Sequence, residues 1–125
     1  MPHLYQEYIG NKFGEDIRVI VIGGKAVSSM RRKNDKDFRS NIALGGKGEK
    51  IELRKEYKDV AENCAKVLGL DYCGVDLLSG SNDEPIVCEV NSNAFFEEIE
   101  NITKMNIAKA YCEYIIKKVG SYEKD

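Results

Sequence analysis

Asp76, Glu89 and Asn91 are spaced so that two carboxylates and an amide can meet at one point. They lie in two short apolar runs, Cys73-Gly74-Val75-Asp76-Leu77-Leu78 and Ile86-Val87-Cys88-Glu89-Val90-Asn91, whose β-branched content reads as two strands. The break between them, Ser79-Gly80-Ser81-Asn82-Asp83-Glu84-Pro85, is turn chemistry throughout. Pairing symmetric about that turn sets Asp76 opposite Glu89, flanked by Leu77–Cys88 and Leu78–Val87. The side-chain period of two adds Asn91 to the same face and gathers Cys73, Val75, Leu77, Ile86, Cys88 and Val90 on the other. Facing carboxylates repel, so something cationic belongs between them. An all-oxygen set of this kind suits Mg²⁺ or Mn²⁺, with phosphate oxygens and waters completing the shell. A solvated face of a one-sided antiparallel sheet shows the same alternation, so spacing alone leaves both readings open.

The elements that must position this hairpin are legible to either side of it. Residues 4–9 form a short strand, and residues 16–22 and 25–32 form two more, joined by the two-residue turn Gly23-Gly24. That turn pairs Arg18 with Ser29 and Asp16 with Arg31, leaving a charged end and an apolar end on one face. The other face, with Ile17, Val19, Val21, Ala26 and Met30, is core-like. Residues 33–50 show no period and hold Gly45, Gly46 and Gly48, as in a long functional loop. Residues 52–68 carry a helical stripe of Tyr57, Val60, Ala61, Cys64 and Leu68, stopped by Gly69. After the hairpin and a polar turn, Thr103 caps a last helix with Ile107, Ala110, Tyr111, Tyr114 and Ile115 on its stripe, ending at Gly120. The order of three strands, helix, two strands, helix predicts an α+β fold, an antiparallel sheet with two main helices packed on one face.

Composition narrows the function classes. The 125 residues suit one domain, and a formal charge of −2 from 19 basic and 21 acidic side chains argues against a nucleic-acid partner. The basic residues Arg31, Arg32, Lys33, Lys36 and Arg39 nevertheless cluster, as in a solvated loop or a phosphate contact. Cys64, Cys73, Cys88 and Cys112 lack metal spacing and read as buried thiols in a reducing cytoplasm. No apolar run reaches membrane-spanning length. The single histidine, His3, makes serine–histidine or cysteine–histidine catalysis an unpromising reading.

Gln6-Glu7-Tyr8-Ile9, Asp16-Ile17-Arg18-Val19, Phe38-Arg39-Ser40-Asn41, Gly45-Gly46, Gly74-Val75-Asp76 and Glu89-Val90-Asn91 follow one another in order. Together they resemble the C-terminal half of an ATP-grasp ligase, in the branch that adds glutamate to a ribosomal protein, with relatives among glutathione synthetases. The resemblance implies that ATP phosphorylates a carboxylate and that an amine attacks the acyl phosphate, giving an amide, ADP and phosphate. It implies Asp76, Glu89 and Asn91 as ligands of Mg²⁺ or Mn²⁺ bridging the ATP phosphates. Glu7 and Tyr8 would lie along the adenine edge, Asp16 at the ribose hydroxyls, and Arg39, Ser40 and Asn41 at the transferred phosphoryl, with Arg39 and Asn41 catalytic. Leu78 and Val87 are candidates to floor the adenine, and Arg18 and Arg32 are further anion contacts. For Arg18 a cross-strand salt bridge with Asp16 or Glu15 is an equal alternative. Gly45-Gly46-Lys47-Gly48 lacks the G-x-x-x-x-G-K-[ST] phosphate-loop spacing, and the resemblance puts it near the acceptor.

The implied partners are ATP, a carboxylate substrate and an amino-acid amine, with the acceptor on a protein or peptide within reach of the same chemistry; oligomerisation is left open. No glycine-rich lid precedes Met1, so residues 1–125 are expected to be one domain of such a ligase, without its N-terminal domain and lid, and inactive alone. After Asn91 the family continues toward Pro-Gly, whereas Ser92-Asn93-Ala94-Phe95-Phe96 stands here. A non-catalytic nucleotide- or metal-binding module is the alternative, and a plain interaction domain with a solvated acidic face a third.

Overall fold

A computed structural model describes residues 15–33 and 47–123. The expected first strand at residues 4–9 lies outside them. Two glycines with positive φ, Gly23 at 59° and Gly24 at 81°, close the tight turn between β1 (Glu15–Ile22) and β2 (Lys25–Lys33). β3 (Lys47–Lys50) follows, then α1 (Lys55–Leu68), β4 (Tyr72–Ser79), β5 (Pro85–Asn91), α2 (Glu97–Thr103) and α3 (Ile107–Glu123). The described strands form one antiparallel sheet in the order β3-β2-β1-β4-β5.

The helices cover both faces of this sheet, which corrects the expectation of helices on one face. On β1, Val19 and Val21 point one way and pack with Cys73, Val75 and Leu77 of β4 under Tyr57, Ala61 and Ala65 of α1. Ile20 and Ile22 point the other way and join Met30, Tyr72 and Ala94 under Ile99 of α2 and Ile107 of α3. A central strand covered on both sides must be apolar at consecutive positions, as Val19-Ile20-Val21-Ile22 is.

Each hairpin also contains a β-bulge that simple pairing does not foresee. In the first, Ile22–Lys25 and Val21–Ala26 pair as expected, but Ile20 then faces Ser28, so Val27 is inserted. Every pair beyond it moves by one: Arg18 faces Met30, and Asp16 faces Arg32 rather than Arg31. Met30 thereby joins the face of Ile20 rather than that of Ile17. In the second hairpin, Asp76 faces Glu89 as expected, and Cys88 is then inserted, so Leu77 faces Val87 and Leu78 faces Ile86.

Smaller differences have local causes. α1 begins three residues later than expected and ends at Gly69, whose N–H and that of Leu70 close on the carbonyls of Lys66 and Ala65. Thr103 does not cap the last helix. It ends α2, its hydroxyl donating to the Ile99 carbonyl at 2.7 Å, and Asn106 caps α3 by accepting the Lys109 N–H at 2.8 Å. α3 runs through Gly120 to Glu123. Part of the expected loop at residues 33–50 is the edge strand β3, paired with Met30 to Lys33.

Tyr72 ties the second core to the chain after β5. Its ring stacks on Tyr111 at 4.8 Å, and its hydroxyl donates to the Ala94 carbonyl at 2.5 Å. Burial pushes the Tyr72 phenol from 10.0 up to about 12. A proton held more tightly in the folded state contributes stability that is complete below pH 10 and is lost as pH rises toward 12. Urea denaturation should therefore show Tyr72→Phe to be about 1–2 kcal/mol less stable at pH 7. The difference should shrink as pH is raised from 10 to 12.

Candidate functional site

A row of charged side chains crosses the sheet on the face that carries α2 and α3, toward the end of β1 away from Gly23-Gly24. The β1–β2 register sets Asp16 against Arg32, the β1–β4 register sets Arg18 against Asp76, and the β4–β5 register sets Asp76 against Glu89. All project to the face of Ile20, because Asp16 and Arg18 are the next positions on that side of β1. Arg18 grips Asp76 with both prongs, Nε to Oδ1 at 2.7 Å and Nη2 to Oδ2 at 2.8 Å. Arg32 does the same to Asp16, its Nε reaching Oδ1 at 2.7 Å, and its Nη2 also lies 3.2 Å from Asp76 Oδ2.

These groups are dry enough for their pairing to matter. Asp16 is 7% exposed, Arg32 8% and Asp76 3%. Burial raises the Asp16 carboxyl above its usual range, against the opposing pull of Arg32. Burial also draws the Arg32 guanidinium down, but Asp16 and Asp76 more than reverse this and leave it raised. Opposite charges at this depth repay their desolvation only with bidentate geometry, which both pairs have. No buried side-chain nitrogen or oxygen among the described residues lacks a partner.

The bulge at Cys88 shapes the rim. Expected on the core face, Cys88 is exposed, and its thiol is raised first by partial loss of water and then by Asp76, Asp16 and Glu89. Those carboxylates mark it as a neighbour of the charged row. Cys112 is exposed as well, whereas Cys73 is buried and Cys64 half-buried. The same one-residue insertion turns Val87 to the α1 face and brings Ile86 beside Leu78 on the site's face. The apolar floor next to the carboxylates is therefore Leu78 with Ile86, not Leu78 with Val87.

The structure thus gathers Asp16, Asp76, Leu78, Glu89 and Asn91 on one face, together with Arg18 and Arg32. Glu7, Tyr8, Arg39, Ser40 and Asn41 lie outside the described residues. For Arg18 the partner is Asp76 on the adjacent strand β4 rather than the expected Asp16 or Glu15, because β1 is flanked by β4 as well as β2. Alternation in Asp16-Ile17-Arg18 was the available signal that both charges share a face; the identity of the second neighbour strand was not.

Asp76, Glu89 and Asn91 fit a hard divalent cation by donor chemistry. Asp76 Oδ1 accepts from Arg18 alone while Oδ2 accepts from Arg18 with Arg32 at 3.2 Å, Glu89 is exposed with no ion pair among the described residues, and Asn91 accepts the Asn93 N–H at 2.8 Å. Among the described residues no three His, Cys, Asp or Glu side chains converge on a closed metal cage. The oxygen set is an open one, of the kind completed by phosphate oxygens and water.

A family model described as the RimK-like ATP-grasp domain matches residues 1–115. The chain belongs to that family. It is 46% identical over 113 residues to a protein of Saccharophagus degradans named "probable alpha-L-glutamate ligase", covering 90% of this chain and 37% of that one. A protein of Coxiella burnetii with the same name is 47% identical over 115 residues, with 91% and 38% covered. The chain thus spans under two fifths of the length of these relatives. Among solved structures, the ATP-grasp ligase PsnB complexed with minimal precursor, Mg and ADP matches with TM-score 0.71 at 31% identity, over 90% of this chain and 34% of that one. The D-alanine–D-alanine ligase of Bacillus anthracis complexed with ATP shares the fold, with TM-score 0.61 at 23% identity over 94% of this chain and 40% of that one. The ATP-grasp family is one of ATP-dependent ligases, and its α+β architecture is the one found here. Among the described residues no helix is long and apolar enough to cross a membrane.

The charged row makes a strong demand on stability. Arg32→Met should cost about 3–5 kcal/mol, because it leaves the Asp16 carboxylate buried without its partner. Adding Asp16→Asn in the same chain should recover most of that loss in thermal or urea melts. An Arg32→Met protein as stable as wild type would show that the pair contributes nothing.

Proposed function

We propose that this chain forms the nucleotide- and metal-binding wall of an ATP-dependent carboxylate–amine ligase that adds glutamate. The observation that carries the reading is Asp76 directly opposite Glu89, with Asn91 and Asp16 on the same face, in a RimK-like ATP-grasp chain. Relatives named alpha-L-glutamate ligase over nine tenths of the chain support glutamate as the amine donor. The PsnB complexes with precursor peptides support an acceptor carboxylate borne on a peptide or protein. Because the chain spans under two fifths of its relatives, turnover is assigned to a longer assembly that includes this wall.

In this reading Asp76, Glu89 and Asn91 hold Mg²⁺ or Mn²⁺, and the bound metal supplies charge neutralisation for phosphoryl transfer. Asp16 accepts from the ribose hydroxyls, and Leu78 with Ile86 offers an apolar surface to the base. Glu7 and Tyr8 read the adenine edge. Arg39, Ser40 and Asn41 orient the transferred phosphoryl and the acyl phosphate that the amine attacks. The free cysteines and the need for ATP support a reducing, cytoplasmic setting for this work.

Titration calorimetry with Mg²⁺ and ATP tests this directly. Glu89→Gln removes a charge from an exposed side chain and should leave the melting temperature within about 2 °C of wild type. It should weaken Mg²⁺-dependent ATP binding by roughly 10–100-fold, the usual effect of damaging a metal site. Equal heats for wild type and Glu89→Gln would reduce the acidic face to a solvated surface.

A further inference from the structure

Asp76 is committed twice over to arginine partners. Its side chain is 4% exposed, both its oxygens are held by Arg18 at 2.7 and 2.8 Å, and Arg32 approaches within 3.2 Å. Arg18 itself is only 12% exposed and lies over Gly74, where a side chain would come within 3.6 Å of its Nε. Glu89, across the strand pair, is exposed and has no ion pair among the described residues. A bare divalent cation approaching Glu89 therefore meets a carboxylate partner that two guanidiniums already neutralise. Its attraction is weakened by their positive charge, and to bind fully it must compete with charge-assisted bidentate bonds. A nucleotide polyphosphate changes the balance, because it brings negative charge that the same guanidiniums attract.

We infer that Arg18 is a positioning residue that masks Asp76 in the ligand-free protein, so that the divalent metal enters with the nucleotide and not ahead of it. The inference rests on the metal assignment proposed above and adds an order of binding to it. Arg18 is well made for the task. Its planar fork matches the carboxylate, and its strand, β1, pairs directly with that of Asp76, so the two side chains meet without a long reach. Arg32 cannot substitute, since its own fork is spent on Asp16 and only one nitrogen reaches Asp76.

The test is Mn²⁺ binding without nucleotide, read from the free-ion electron paramagnetic resonance signal, on the full chain and its variants. Arg18→Gln should bind Mn²⁺ roughly tenfold more tightly than wild type, the scale expected from removing one close positive charge. Glu89→Gln added to Arg18→Gln should abolish that gain. A merely structural arginine would give the opposite sign, since loosening the sheet weakens every site on it. Equal or weaker Mn²⁺ binding by Arg18→Gln therefore overturns the inference. Should circular dichroism show that Arg18→Gln does not fold, Arg18→Lys decides, with about threefold tighter binding expected from the lost fork and no gain overturning the proposal. A parallel titration of ATP in the presence of Mn²⁺ keeps the two readings apart. Failure of wild type to bind ATP there would sink the proposed function, while the Mn²⁺-only comparison would still decide the role of Arg18.

Discussion

The buried alternation of charge across β2, β1 and β4 is the constraint on which the rest of this structure depends. Four ionised side chains, Arg32, Asp16, Arg18 and Asp76, stand on a sheet face whose other half is Ile20, Ile22, Met30 and Tyr72. Taking them out of water is costly, and neutrality alone would not recover that cost. Both pairs are bidentate, and Arg32 bridges them by reaching Asp76 as well as Asp16. This geometry tolerates no slip in either register of β1. A one-residue shift against β2 would draw Arg31 away from Glu49, 3.8 Å from it, to face Asp16, and would turn Arg32 and Met30 to the opposite surface. The charged row therefore selects the sheet's register as much as the sheet positions the row.

The two bulges are how the chain meets that demand while keeping its turns tight. Gly23-Gly24 fixes pairing near the first turn, and the insertion at Val27 then re-phases β2 so that Ser28, Met30 and Arg32 share a face with Ile20, Arg18 and Asp16. In the second hairpin the order is reversed. Pairing is regular through Gly74–Asn91, Val75–Val90 and Asp76–Glu89, and the insertion at Cys88 falls between the acidic pair and the turn. Tyr57 of α1 secures that turn, its hydroxyl 2.6 Å from Ser79 Oγ and donating to the Asp83 carbonyl at 2.8 Å. Either bulge removed alone would turn half a strand inside out.

Legibility in the sequence follows from the range of the forces involved. Turn residues and periodicity act locally, and they correctly set Gly23-Gly24, the body and stop of α1, the two hairpins and the Asp76–Glu89 pair. They also set a charged end against an apolar end on one face of β1. Bulges answer to contacts made from a distance. Whether Val27 is inserted depends on Met30 finding Ile99 and Ile107, and whether Cys88 is depends on which side of the sheet Ile86 and Val87 can use. α2 escaped notice because its seven residues begin with three acidic side chains in four and bury only Ile99. The placement of α1 opposite α2 and α3 could have been read from Val19-Ile20-Val21-Ile22, since an unbroken apolar run suits a strand covered on both faces. The pairing of Arg18 with Asp76 spans 58 positions and required the strand order itself.

The segment after Asn91 closes the site by a route that depends on one glycine. Gly74 pairs with Asn91 across β4 and β5, and a side chain there would come within 2.5 Å of the Ala94 Cβ. The bare backbone lets Ala94 fold back over the sheet beside Arg18, where Tyr72 holds its carbonyl, while Asn91 turns its amide oxygen to the Asn93 N–H. Ser92-Asn93-Ala94 thus makes its bend with an Asx turn and a close approach instead of the Pro-Gly that the family resemblance leads one to expect. Phe95, carried just beyond the bend, is left 89% exposed. The bend and the ion pair consequently share one patch of β4. Arg18 lies over Gly74 on one side, Ala94 presses on it from another, and Asp76 follows two residues on. A change at Gly74 would therefore reach the acidic pair twice, through the position of Asn91 and through the grip on Asp76.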